Sequence, residues 1–73
     1  LTTVATTLYA LTKQMEVQRS YYRNAIGEMT LTSQYILQSN YSDASNSISQ
    51  AQWYMERAGQ FDSYIDSVLN AMK

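Results

Sequence analysis

Cysteine, histidine and proline are missing from the 73 residues, and glycine occurs only twice. Without cysteine no disulfide can staple the chain, although a domain this small buries only about 60% of its unfolded surface and is marginal unless something reinforces it. Without histidine and cysteine the two commonest zinc ligands are gone, and so are Ser–His and Cys–His nucleophiles. No glycine-rich phosphate loop occurs. Of the carboxylates, Asp62 and Asp66 share a helix face, but no Glu-x-x-His accompanies them, as a di-iron site would require. They read as a solvated surface. Neither an enzyme nor any cofactor is therefore expected.

Charge is scarce as well. Charged residues make up 15% of the chain, against the ~25% usual in soluble domains. Five basic and six acidic residues leave a net charge of −1, with no bias towards nucleic acid or anionic lipid. Lys13, Arg19 and Arg23 lie roughly along one side of a helix with Glu16 among them, too thin a stripe for nucleic acid. No run reaches the roughly 18–20 apolar residues of a membrane span, and no basic-then-apolar leader is present. Serine, threonine, asparagine and glutamine fill the gap left by charge, occupying more than a third of the chain. Such a surface suits packing against copies of itself, and is equally common in secreted proteins. With the start at Leu1 rather than methionine, a processed chain or a piece of a longer one is expected, and a secreted or surface assembly fits.

What is present is a pair of heptad-spaced stripes. Leu1, Leu8, Met15, Tyr22, Met29 and Ile36 recur every seventh position, and Val4, Leu11, Gln18, Ala25 and Thr32 interleave at an offset of three, with Ile26 alongside. Apolar residues at three-then-four spacing line one side of an α-helix. Without proline to interrupt it, the pattern predicts a helix of roughly 55–60 Å at 1.5 Å per residue. Thr2 or Thr3 is its expected N-cap. Glu16 stands three residues before Arg19, the favourable order for a surface ion pair, and three after Lys13.

The one break in composition is Gln-Ser-Asn-Tyr-Ser-Asp-Ala-Ser-Asn-Ser over 38–47. Short polar side chains bond nearby backbone groups and favour turns and caps. A turn at Asn40 and Tyr41 with Ser42 as N-cap and Asp43 in the first helical turn is predicted. Asn40-Tyr41-Ser42 also matches the glycosylation acceptor, a triplet short enough to arise by chance. Beyond it, Ala44, Ala51, Ala58, Ile65 and Met72 form one row, Tyr54, Phe61 and Val68 its companion, and Ile48, Met55 and Leu69 flank them.

The sequence thus predicts an all-α fold, an antiparallel two-helix hairpin with helices over about 2–39 and 43–72 and a turn near 40–42. It forms a single unit of 1–73, expected to join a larger helical bundle or coiled-coil assembly. Folding about Tyr41 pairs positions whose numbers add to roughly 82. That sets Gly27 against Met55, next to Tyr54 and Trp53, and Ala58 and Gly59 against Asn24 and Arg23, with Tyr22 one step on, so small residues are expected where bulky ones approach. Gly27 could instead break the first helix, but the stripe runs through it in phase. Helix one is expected to outreach helix two by about eight residues, projecting Leu1, Val4 and Leu8. Two helices share only one interface, and Tyr9, Tyr21, Tyr35, Leu37, Trp53 and Tyr64 cannot all enter it. Tyrosine and tryptophan are favoured at protein interfaces. The expected function is a structural, self-assembling helical subunit. An adaptor or chaperone-like module holding one heterologous helical partner is the alternative, and a helical pair taken from a larger bundle protein a third reading.

Overall fold

A computed structural model describes residues 2–73 and contains two α-helices, α1 (Thr2–Leu37) and α2 (Tyr41–Met72), folded back on each other. The predicted all-α antiparallel hairpin is therefore the fold. Its long dimension is 57 Å and its cross-section 15 × 13 Å. Leu1 lies outside the described residues.

Both helices are built from residues that satisfy themselves locally. Thr2 and Thr3 do not cap α1; they sit within it, and their carbonyls accept the hydroxyls of Thr6 and Thr7 at 2.9 Å each. Thr30 and Thr32 likewise donate to the carbonyls of Ile26 and Glu28, at 3.1 and 2.9 Å. A threonine bonded to its own preceding turn loses its competing hydroxyl and presents a methyl group. That is how Thr32 sits in the contact seam. Of the two pairs open to Glu16, the one formed is with Lys13, at 3.5 Å and well exposed, a geometry that adds little.

The turn, over 38–40, lies two residues earlier than the composition suggested. Ser39 takes φ 58°, the left-handed conformation. Asn40 N donates to Tyr35 O at 2.8 Å, and Ser39 N to Ile36 O at 3.0 Å. This pair of bonds is a Schellman motif, with serine in the place where glycine is usual. Asn40, rather than Ser42, is the N-cap of α2. Its Oδ1 accepts from Asp43 N at 3.3 Å, and its Nδ2 donates to Asp43 Oδ2 at 2.7 Å. The Asp43 carboxylate also lies where the helix dipole favours it. Asn40, the glycosylation-pattern residue, is thus occupied as a cap.

Facing positions follow from this turn. Gln18 reaches Ala58 O and Asp62 Oδ1 on either side of position 60, and the Tyr21 ring lies near those of both Tyr54 and Phe61. Facing numbers therefore add to about 78–79 rather than 82. Because α1 has 36 residues and α2 has 32, the overhang is half the expected eight. Leu8 lies level with the last turn of α2 rather than beyond it.

The strained cap position gives a direct expectation. Ser39→Gly removes the left-handed penalty and should stabilise the hairpin by about 1 kcal/mol, read as a higher urea midpoint at fixed protein concentration.

Candidate interaction surface

Along α1 the buried positions are Leu11, Gln18, Ala25 and Thr32, one of the two stripes read from the sequence. Along α2 they are Ala44, Ser47, Ala51, Ala58 and Ile65, with Tyr54, Phe61 and Val68 half-buried. The α2 rows are those the periodicity predicted. In α1 the second row is different. The half-buried partners of the Leu11–Thr32 row are Thr7, Tyr21, Glu28 and Tyr35, not Leu8, Met15, Met29 and Ile36, which stay 41–52% exposed. Relative to the predicted stripe, α1 is turned by about 50°, one of the seven heptad positions.

The aromatic rings account for that turn. Tyr21 stands 6.2 Å from Trp53, 6.5 Å from Tyr54 and 6.1 Å from Phe61, centroid to centroid, and Trp53 meets Tyr54 edge-on at 5.3 Å. Such pairs add ~0.5–1.5 kcal/mol each beyond their area. Arg57 lies over the Trp53 ring at 4.8 Å. The register sets Tyr21 level with Ala58, Ala25 with Tyr54 and Tyr35 with Ala44, so large does meet small, with alanine as the small partner. Ala25 and Ala58 are completely buried.

The glycines take no part. A Cβ added at Gly27 or Gly59 would meet nothing within 4 Å, so neither allows a close approach within the hairpin. Within the hairpin, Gly27 and Gly59 therefore do not close-pack as expected; of that trio only Ala58 lies in the seam.

The remaining predicted positions lie at the surface of the hairpin. Val4, Ile26, Trp53, Met55 and Leu69 are more than 40% exposed, and Tyr22 is half-buried. Tyr21 is a seam residue the apolar pattern passed over. Gln18 and Thr32 stood in the correct heptad row all along, where a polar residue among apolar ones was the signal. The Gln18 amide donates at 3.0 Å to Ala58 O and at 2.6 Å to Asp62 Oδ1. Among the described residues no buried side-chain N or O lacks a partner.

One side of the hairpin thus carries the rings, with a groove of about 560 Å³ along Ser49, Gln50, Trp53 and Tyr54; the other is aliphatic. On the aliphatic side Met29, Ile48 and Met55 rim a groove of about 440 Å³ whose floor is Thr32 and Ala51. By heptad spacing Leu8, Met15, Tyr22 and Ile36 continue one rim and Leu69 the other. The opposite side mixes Val17, Leu31 and Tyr64 with Asn24, Gln50 and Arg57. No described helix is long and apolar enough to cross a membrane. Compared with known protein families, curated proteins and solved structures, the chain finds no match.

Two substitutions test the seam. Gln18→Ala leaves Asp62 without its amide and opens a void; it should cost about 1–2 kcal/mol in urea unfolding. Gly27→Ala, at an open helical site, should gain about 0.5–1 kcal/mol; a loss there would mean a close contact at this position.

Proposed function

We propose that this chain is a non-enzymatic structural protein, a helical subunit that associates with copies of itself through helix–helix packing to form an oligomer or filament. The observation that carries the reading is the mismatch between what the hairpin buries and what it leaves outside. Its seam takes Ala25, Ala44, Ala51 and Ala58 and, of the larger apolar side chains among the described residues, buries only Leu11 and Ile65. Met29 and Ile26 are 52% and 59% exposed and Leu37 84%. Burying apolar area contributes about 25 cal/mol per Å². A seam lined mainly with alanine, with Leu11 and Ile65 its only buried large apolar side chains, collects little of that, so a hairpin this small is marginal alone. The large side chains that would stabilise it point outward, where only another molecule can cover them. Low charge supports the same reading, because few charges stand between one surface and its copy.

Sedimentation equilibrium with circular dichroism over a concentration series tests this. The mass should rise to that of a dimer and beyond as helix content rises. A fully helical monomer at every concentration overturns the reading. Helix that appears only when a heterologous helical protein is added replaces it with the adaptor role.

A further inference from the structure

The groove side of the hairpin can be assigned an occupant, on the premise that the chain associates with itself as set out above. We infer that two copies close face to face over Met29, Ile48 and Met55, related by a two-fold axis along the hairpin's length, to give an antiparallel four-helix bundle.

Area is the first argument. The chain exposes 5492 Å², whereas a globular monomer of 8.4 kDa exposes about 4,600 Å². The excess, on the order of 900 Å², is close to the ~800 Å² each partner covers in a standard interface. A face 57 Å long and 15 Å wide has that size.

Shape is the second. The groove has a floor of small residues between long, flexible rims. A thioether side chain adapts to such gaps, so Met29 and Met55 of one copy can fill the groove of the other when equal levels meet. The groove on the ring-packed side runs over Ser49, Gln50, Trp53 and Tyr54, with no methionine or aliphatic rim to interdigitate, and the neighbouring Asn24 and Arg57 suit a solvated rim.

Charge selects the symmetry. Asp62 is the one charged residue in the heptad rows that rim the groove. An axis along the hairpin sets α1 of one copy against α2 of the other, antiparallel and in the intramolecular register. Arg19, which has no ion pair among the described residues, then lies within a helical turn of Asp62 in the facing copy, and the contact occurs twice. An axis across the middle of the hairpin would instead lay α2 on α2, with Asp62 of one copy about level with Met55 of the other, a carboxylate against an apolar side chain. Desolvating a carboxylate whose one partner is the Gln18 amide, with no cation to neutralise it, is unfavourable.

A spin label on Ser42→Cys, an exposed site in the first turn of α2, reads the symmetry in the otherwise cysteine-free chain. The axial arrangement brings the two turns together, so an intermolecular distance of about 30 Å or less is expected from helix spacings of 8–10 Å. A distance on the order of the 57 Å hairpin length overturns it. The double variant Met29→Glu/Met55→Glu should raise the dissociation constant at least ~100-fold, and Val17→Glu/Tyr64→Glu on the other side should change it less than ~5-fold. The reverse ranking, with association intact, rejects this face but leaves self-association standing. Absence of any dimer in the parent chain rejects both.

Discussion

Close approach of two long helices through alanine is the constraint on which the rest of this structure depends. Ala25 and Ala58 have no exposed surface, and Ala44 and Ala51 very little. Side chains this small let backbones come near, but they take little apolar surface out of water. The cohesion of the hairpin therefore falls to one side, where Tyr21 gathers Trp53, Tyr54 and Phe61. Everything that side does not need is turned outward. The apolar groove and the rotation of α1 are two consequences of one choice of packing partner.

Polar groups inside the seam set its register. Gln18 holds a carbonyl and a carboxylate on α2 one helical turn apart, an arrangement that a slip of one residue would break. Polar residues in helix seams commonly act this way, giving up some stability for a single alignment. At the far end the Schellman turn at Ser39 and the Asn40 cap fix the same alignment from the backbone side. The alignment therefore has two independent anchors. A well-defined hairpin with a weak interior is suited to the proposed assembly: the shape is specified within one chain, while much of the stabilisation would come from the next.

The periodicity of α2 was fully legible, because its small and aromatic rows are unmixed. In α1 two apolar rows flank the Leu11 row, one aliphatic and one marked only by Tyr21 and Tyr35, and hydrophobicity alone favours the aliphatic one. Aromatic partners on α2 reversed that preference, which no reading of α1 in isolation could anticipate. The turn was misplaced by about two residues because serine, not glycine, takes the left-handed position. Glycines that looked like matched notches proved to lie on open surface once the register moved by three or four.

Sequence alone settled that there would be two helices and, to within about two residues, where the chain would double back. Those properties are local, carried by spacing and by the presence or absence of single residue types. Only the tertiary structure decided which face of α1 turns inward, how the two helices are aligned, and hence which apolar side chains remain uncovered. That choice depends on contacts between residues some forty positions apart, such as Gln18 with Ala58, and no local pattern encodes it.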